Sequence, residues 1–405
     1  MGSTRTPPRI YSIRAASLLM WGGLLGACNE APSSGETAPP NNPQPSATTT
    51  TTAVTKPPPP TASATSSSKA TPAPPGWGDR TQWTGTLAEQ NALLFEQIAH
   101  FHKPTGEQLE QIEKIFAASS RLGQGNPKAA RHPMSPDACR EKLAETKTRY
   151  EDRSAEATCG GPYMAPLYDP TKETAKDARV CIDRFEFPNI PCVYPVTWVS
   201  AREAVQICQA LGKRLCDAHE WEGACAGQLT PPDYDFSLAK RMKQADALRT
   251  MRKRHNHLIE KSKRWAYGSE YQKGICATGS RKSKRCGVGW RKCGTNTYPA
   301  GAFPKCVSPL GVYDIHGNAA EHMNLPVLAE QMASSPSQKY GHTEMKGSWF
   351  VFDQIRAHKD HCRWRAPYWH GNRVMSKGSH QNYHLGFRCC KSIGEANAEP
   401  SLDPK

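Results

Sequence analysis

The 405-residue chain lacks two sequence patterns that would assign it to common classes. Its 15 cysteines include no C-x-x-C pair, the spacing that zinc-binding domains usually use. Its N-terminal apolar run, from Ala15 to Ala27, is shorter than the roughly 20 residues of a permanent membrane-spanning helix. These absences argue against a zinc-stapled domain and against a transmembrane helix at the N-terminus.

Residues 31–75 lack almost every side chain that builds a core. The segment has no aromatic residue, a single valine and three charged residues among Pro, Thr, Ser and Ala. Such a composition buries too little apolar surface to offset the entropy of ordering, so we expect a disordered tether. At about 3.1 Å per residue, an extended tether of this length would reach on the order of 140 Å.

The N-terminus has the order of an export signal, in which positive charge precedes the apolar run. The run ends in Leu25-Gly26-Ala27-Cys28, which resembles the lipobox of bacterial lipoproteins, where the cysteine thiol accepts diacylglycerol. The alternative is an ordinary secretory signal followed by a chance cysteine. We expect lipidation at Cys28 and a lipid-anchored address in the outer membrane or at the cell surface, which Asn29 favours over inner-membrane retention.

Fourteen cysteines remain after Cys28, and an even number in an exported chain predicts a disulfide framework. A zinc site is the competing interpretation, but an exported setting favours bridges over free thiolates. Without the signal and the tether, residues 76–405 are long enough for one large domain or two small ones. Disulfides would supply stability wherever regular secondary structure is sparse.

Nearly all of the net charge of +15 lies in one segment. Between Lys240 and Lys292 there are seventeen Lys or Arg residues and three Asp or Glu residues, a surplus of +14. One interpretation is a patch for polyanions, and the other, which we prefer, is a solvated basic insertion that is helical from Phe236 to Lys261. Few aromatic residues accompany the charge, which argues against nucleic acid as a partner.

Helical spacing and capping residues predict four further helices. Residues 86–101 and 105–119 repeat apolar side chains at helical intervals and together suggest a helical hairpin. A third helix is predicted from Ser200 to Leu211 and a fourth from Asp217, each with a glutamate three residues after the cap. From residue 180 onward the chain otherwise consists of short apolar segments between Gly and Pro turns.

Several segments, in the same order, resemble motifs of the formylglycine-generating enzyme family, also called sulfatase-modifying factors. The matching segments are 195–200, 212–215, 219–224, 311–319, 346–349 and 386–389. The resemblance covers residues 178–391. It implies an α+β, loop-rich domain related to C-type lectin-like folds, stapled by disulfides and preceded here by the helical hairpin.

The composition and the resemblance together divide the chain into five parts. These are a signal peptide (1–27), a tether (28–75), a helical N-terminal region (76–175), the family-like domain (176–395, with the basic insertion at 236–292) and a disordered tail (396–405). The resemblance also implies two disulfides by position. They are Cys208 to Cys389 and Cys225 to Cys362.

A structural calcium site is a further implication of the resemblance. Members of the family hold an ion with an Asn or Asp, two backbone carbonyls and a Glu. The matching positions are Asp314, Gly317, Ala319 and Glu321. Oxygen ligands in a turn relieved by glycine suit calcium, which is a hard cation. The alternative is a surface turn that contains two unremarkable acids.

The resemblance fails at the catalytic cysteines. The family's enzymes bind copper and activate oxygen with two cysteines, at positions that here are Val351 and Arg356. A soft monovalent copper ion needs thiolates, which neither residue supplies. We therefore expect no catalytic residue of this type, no copper and no oxidation of cysteine to formylglycine.

We prefer a non-catalytic recognition or scaffold module that is tethered to the membrane and binds a protein or glycan of the cell envelope. Its cleft would be lined by aromatic and basic residues, the types that dominate binding surfaces. The candidates are Trp349, Arg363, Trp364, Arg365 and Trp369. The same residues could instead be core packing beneath a loop.

Two other functions stay open. One is an active enzyme, either a formylglycine-generating enzyme or another metal-dependent oxidoreductase. The latter would use histidines as ligands, with His358, His361, His370 and His380 as candidates. A surface-polysaccharide anchor would use the basic insertion, and salt would weaken it. The residues name neither an individual partner nor an oligomeric state.

Overall fold

The computed structural model describes residues 76–284, 286, 289–366 and 372–394. The signal, the tether, Cys28 and Trp369 lie outside these residues. In chain order the helices are α1 (Leu87–His102), α2 (Gly106–Ala117), α3 (Pro136–Glu145), α4 (Arg153–Cys159), α5 (Ala201–Ala210), α6 (Ala218–Ala226), α7 (Leu238–Arg241) and α8 (Gln244–Ile259). None of these helices combines the length and apolar character that crossing a membrane requires.

Seven short strands form two sheets. They are β1 (Met164–Leu167), β2 (Val180–Asp183), β3 (Arg214–Leu215), β4 (Ala320–Leu325), β5 (His342–Lys346), β6 (Leu385–Gly386) and β7 (Cys389–Ser392). The first sheet has the order β1-β2-β7-β3 and is antiparallel throughout. In the second, of order β5-β4-β6, β4 is antiparallel to β5 and parallel to β6. With eight α-helices, two short 3-10 helices and long loops, the described part has the expected α+β, loop-rich architecture.

The four helices predicted from capping patterns are α1, α2, α5 and α6. In α5 the Ser200 hydroxyl accepts from the Glu203 N–H, and the Glu203 carboxylate accepts in return from the Ser200 N–H at 2.7 Å. These reciprocal bonds satisfy donors that a helix start would leave without partners. At α6, Glu220 accepts from the Asp217 N–H in the same way.

The single helix expected from Phe236 to Lys261 is wrong in its extent. The segment forms two helices, α7 and α8, because Met242 takes an extended conformation with φ −150° and ψ 168° between them. The helix α8 buries one face through Met251, Arg252 and His255 and leaves a basic face exposed. The basic insertion is therefore anchored to the rest of the domain along one side of α8.

The N-terminal helices share a core with α5. Leu94 and Ile98 of α1 and Ile112 and Phe116 of α2 are buried in one cluster with Val205 of α5. Each such side chain contributes about 1.5 to 3 kcal/mol when it is fully removed from water. The helical hairpin is thus packed against the domain rather than separated from it by a linker.

All fourteen cysteines after Cys28 are paired in disulfides. The pairs are Cys139–Cys192, Cys159–Cys181, Cys208–Cys389, Cys216–Cys390, Cys225–Cys362, Cys276–Cys306 and Cys286–Cys293. They include both bridges that the family resemblance implied, and they leave none of these sulfurs as a free thiolate for zinc. Three bridges close separations of 137 to 181 residues, where the constraint on the unfolded chain is largest.

A buried ion network connects α6, β5 and the segment after Cys362. Glu222 of α6 accepts from Arg365 Nε at 2.8 Å and from Lys346 Nζ at 2.6 Å. Arg365 also reaches Asp233 at 2.7 Å. Burial alone would raise the pKa of Glu222, but Arg365 and Lys346 lower it to about 2. The carboxylate is therefore charged at neutral pH and holds two buried cations.

Replacing Glu222 with Gln should destabilise the fold strongly. Arg365 and Lys346 would lose their shared counter-charge, and breaking a buried pair costs about 3 to 5 kcal/mol. Because the folded-state pKa of Glu222 is lowered from 4.5 to about 2, its contribution is complete above pH 4.5 and disappears as the pH falls through about 2. Urea unfolding measures the free energy of unfolding of both proteins. The wild type should exceed Glu222→Gln by a large margin at pH 7, and this margin should shrink as the pH falls from 4.5 to about 2.

The matched control is Glu110→Gln, which removes an exposed ion pair with Lys114 on α2. Surface pairs of this kind contribute little to stability, so its unfolding midpoint should stay at the wild-type value. Equal midpoints for the Glu222→Gln and Glu110→Gln proteins would contradict the structural role of the network.

Candidate functional site

The loop before β4 is the expected ion-binding segment. Asp314, Gly317 and Asn318 all have positive φ, at 52°, 80° and 54°. A Cβ atom on Gly317 would lie 2.7 Å from the carbonyl carbon and oxygen of Ala277, so only glycine fits there. The Asn318 N–H donates to the Ala277 carbonyl at 2.8 Å. The loop therefore packs closely against the backbone of Ala277 in one defined conformation.

Three buried carboxyls and one guanidinium meet beside this loop. Glu186, Asp314, Glu321 and Arg388 are each no more than 1% exposed. Arg388 binds both oxygens of Glu321, through Nε and Nη2, each at 2.7 Å. One cation therefore faces three acids, and the cluster is short of positive charge.

Burial and the shortage of positive charge raise the pKa values of two of these acids, Asp314 and Glu186. Burial raises the pKa of Asp314 to about 7. Burial, followed by the nearby Asp314, raises the pKa of Glu186 well above its ordinary value. Asp314 Oδ2 accepts from the Gly301 N–H at 2.5 Å, whereas Oδ1 is buried without a hydrogen-bond partner among the described residues. A buried acceptor of this kind is costly unless a cation or a donor reaches it.

The donor set fits a hard cation such as calcium. Asp314 offers an oxygen without a hydrogen-bond partner among the described residues, and the family resemblance implies that the carbonyls of Gly317 and Ala319 would complete the ligand set. Glu321 differs from a free ligand because its carboxylate is already bound by Arg388 and accepts from Trp221 Nε1 at 3.1 Å. An ion would share Glu321 with these donors.

Sequence reasoning missed Glu186 as part of this cluster. Its carboxylate accepts from the Ala319 N–H at 2.7 Å and from Asn318 Nδ2 at 2.9 Å. These two hydrogen bonds hold the loop in place. The available signal was an acid that stands between two phenylalanines, Phe185 and Phe187. No spacing rule connected it with a loop about 130 residues later.

Val351 and Arg356, the positions where the sequence resemblance places the copper cysteines, lie in different surroundings. Val351 is 0% exposed. It belongs to an aromatic cluster formed by Trp198, Trp349, Phe350, Phe352 and Tyr383, together with Cys286, Cys293, Tyr271 and Trp290. Arg356 is exposed, and its guanidinium lies 4.4 Å from the Tyr271 ring centroid. Hydrophobic packing and a cation–π contact occupy these positions.

The expected binding residues divide into buried and accessible ones. Arg365 is fully buried in the ion network, and Trp349 is 7% exposed with its Nε1 donating to the Ile355 carbonyl. The expectation that these two line an open cleft is therefore corrected, because both are packed inside the domain. Arg363 and Trp364 are half-buried, and Trp369 lies outside the described residues.

The candidate histidines do not converge. His358 stacks on Trp364, with ring centroids 5.2 Å apart and planes 4° from parallel. Among the described residues, the groups of three side chains able to hold a metal are Cys225–His316–Cys362 and Cys216–Glu220–Cys390. Neither group contains His358, His361 or His380, and both cysteine pairs are disulfides. His370 lies outside the described residues.

A match to a known sequence family assigns the chain to that family. Residues 168–393 match the family of sulfatase-modifying factor enzyme 1-like domains. The chain belongs to this family. Two solved structures are similar in part, PvdO from Pseudomonas aeruginosa and CarF. PvdO is 16% identical, with 57% of this chain and 91% of PvdO covered and a TM-score of 0.27.

CarF is 17% identical, with 64% of this chain and 84% of CarF covered and a TM-score of 0.24. No curated protein sequence matches the chain. In this sulfatase-modifying-factor domain an acid-rich loop precedes β4. Val351 and Arg356 stand at the positions where the sequence resemblance places the copper cysteines.

Calcium should stabilise this sulfatase-modifying-factor domain. We expect a higher melting temperature with calcium than with a chelator, because a divalent cation would offset the excess of buried negative charge. Asp314→Asn should reduce the calcium-induced rise, since it removes one charge and keeps an oxygen that can accept from the Gly301 N–H. Asparagine also tolerates the positive φ at this position.

The melting temperature of Asp314→Asn in the presence of a chelator serves as the control. Without calcium, Asp314→Asn should melt no lower than the wild type, because the neutral amide removes repulsion with Glu186. Equal calcium responses in the two proteins would show that Asp314 does not hold the ion. Differential scanning calorimetry with calcium and with a chelator makes the comparison.

Proposed function

We propose that this chain is an exported lipoprotein, anchored through Cys28, whose domain recognises a protein or glycan of the cell envelope without making formylglycine. The observation that carries the proposal is the surroundings of Val351. A side chain that is fully buried among aromatic rings offers no ligand and no access to a copper ion. This arrangement supports a family fold that works without the family's oxidative chemistry.

The accessible part of the recognition surface is formed by Arg363, Trp364 and His358. Trp364 is half-buried and stacks on His358, so its ring orientation is defined. A rigid aromatic face of this kind loses little conformational entropy on binding. An arginine beside it adds a charged donor for an acidic or hydroxyl-rich partner.

The backbone beneath this surface is held at several points. The Arg363 carbonyl bonds to His255 Nε2 at 2.5 Å, and the Trp364 carbonyl accepts from Lys346 Nζ at 2.7 Å. The Arg365 N–H donates to Asn256 Oδ1 at 2.9 Å. The surface is therefore fixed by α8 on one side and by the buried ion network on the other. This fixation supports a preformed binding face.

The absence of formylglycine chemistry is directly testable. The soluble domain, residues 76–405, is incubated with copper(I), oxygen and a cysteine peptide that a catalytic member of the family converts. We expect no conversion of cysteine to formylglycine by mass spectrometry, with the catalytic member as the positive control. Conversion at a comparable rate would overturn the non-catalytic part of the proposal.

The recognition surface is tested by capture of envelope components with purified wild-type and variant domains. Trp364→Ala and Arg363→Ala should each reduce capture at least fivefold while their unfolding curves stay near wild type, because neither residue is fully buried. Quantitative mass spectrometry of the captured material gives the ratio.

A matched control separates this surface from the basic insertion. Lys253→Ala changes an exposed cation on α8 and should leave capture unchanged. If Lys253→Ala or high salt removed capture while Trp364→Ala preserved it, the electrostatic anchor would be favoured and the proposed surface would be wrong.

A further inference from the structure

An open groove of about 770 Å³ lies between α1 and α2, on the surface of the helical hairpin. Its floor contains Phe95 of α1 and Phe116 of α2, whose ring centroids are 5.2 Å apart in an edge-to-face contact. Ala88 and Ala92 of α1 and Ala117 of α2 border the groove and are exposed. A partner can therefore reach its apolar lining from solvent.

Both helices present side chains to the groove at alternating steps of four and three residues. This spacing keeps the side chains on one face of a helix, and it is the spacing of a coiled-coil seam, which packs against another helix. The rows are Ala88, Ala92, Phe95 and Ala99 in α1 and Leu109, Glu113 and Phe116 in α2.

The seam of α1 is separate from the face that joins the domain core. Leu94 and Ile98 form that core face together with residues of α5. From Ala88 to Ala99 the seam is about 16 Å long, at 1.5 Å per residue. Its alanines are small enough for a neighbouring helix to approach closely. The groove therefore has the length and the relief to accommodate about three turns of a further helix.

The charged residues of the groove are acidic. Glu96 of α1 and Glu113 of α2 line it and are exposed, and its lining contains no Lys or Arg. Residues 87–119 contain five Glu and two Lys, in a chain whose net charge is +15. Because an acid at a seam position favours a partner with a cation opposite it, the groove is complementary to a basic helix.

The parts of the chain outside the described residues have unsuitable compositions for this groove. Residues 31–75 contain twelve prolines, a single valine and no aromatic residue, so they lack apolar side chains at helical spacing and break helices. Residues 395–405 contain three acids and one lysine, so Glu96 and Glu113 would repel them. The apolar run at 15–27 is removed with the signal in the proposed lipoprotein. These compositions favour an occupant from another chain.

We infer that the groove between α1 and α2 binds a basic amphipathic helix of another polypeptide. Apolar side chains of that helix enter the groove over Phe95 and Phe116, and its Lys or Arg residues pair with Glu96 and Glu113. This is the helix-in-groove mode of peptide recognition. The inference goes beyond the proposed recognition surface at Trp364, since the groove lies in residues 87–119, ahead of the family match at residues 168–393.

The first experiment measures the binding of a defined probe to residues 28–405, prepared with Cys28→Ser so that no lipid is attached. The probe is a synthetic amphipathic helix of leucine and lysine that carries fluorescein, and fluorescence anisotropy gives its dissociation constant. The same peptide with glutamate in place of lysine should bind at least tenfold more weakly. Equal binding of the two peptides would overturn the inference.

The second experiment alters the groove itself. Ala92→Trp fills the groove, and the double variant Glu96→Gln with Glu113→Gln removes its charge. Each protein should bind the lysine peptide at least tenfold more weakly than the wild type does. All three positions are exposed, so the unfolding midpoints should stay near the wild-type value. If either protein bound the peptide as the wild type does, the inference would be wrong.

Glu110→Gln is the matched control, because it removes the same charge from the same helix at a position that does not line the groove. Its dissociation constant should equal that of the wild type. A loss as large as that of Glu113→Gln alone would indicate diffuse attraction to the acidic hairpin and would contradict the site. Trp364→Ala should also leave peptide binding unchanged, which separates the groove from the proposed recognition surface.

Sedimentation equilibrium distinguishes a foreign helix from a second copy of this chain. Without peptide, the wild-type protein should be monomeric at the concentrations of the binding assay. A dimer that Ala92→Trp dissociates would make a second copy the occupant of the groove and would overturn the inference.

Discussion

The bidentate ion pair between Arg388 and Glu321 is the contact on which the arrangement of the domain depends. Arg388 lies between β6 of the second sheet and β7 of the first sheet. Glu321 belongs to β4 of the second sheet. The same guanidinium donates to the carbonyls of Asp183, at the end of β2, and Tyr313, before the acid-rich loop. Because an unpaired buried charge is strongly unfavourable, the two sheets and the loop must meet together for the guanidinium to be satisfied.

The acid-rich loop and the aromatic cluster are connected through the backbone. The Phe350 N–H donates to the Asn318 carbonyl at 2.9 Å, and the Gly317 N–H donates to Ser348 Oγ at 2.9 Å. An ion at Asp314 would therefore fix the segment that contains Val351 as well as its own loop. This coupling supports the proposal that packing, together with an ion at Asp314, keeps the segment around Val351 ordered without metal–thiolate bonds.

Local sequence patterns predicted much of the secondary structure. The site was harder to predict because it depends on contacts between residues far apart in the sequence. The starts of α5 and α6 follow from caps three residues apart, which sequence spacing displays directly. The burial of Arg365 depends on Glu222, which is 143 residues away in sequence, and an arginine beside tryptophans is equally typical of a binding surface.

The central proposal is that this sulfatase-modifying-factor domain binds calcium as a structural ion and lacks the copper chemistry. Metal analysis of the purified, oxidised domain, followed by competitive titration with copper(I), tests this claim most directly. The account predicts one retained calcium ion, removable by chelator with a loss of thermal stability, and no tight copper site. Stoichiometric copper, bound in the absence of reductant and without calcium, would contradict it.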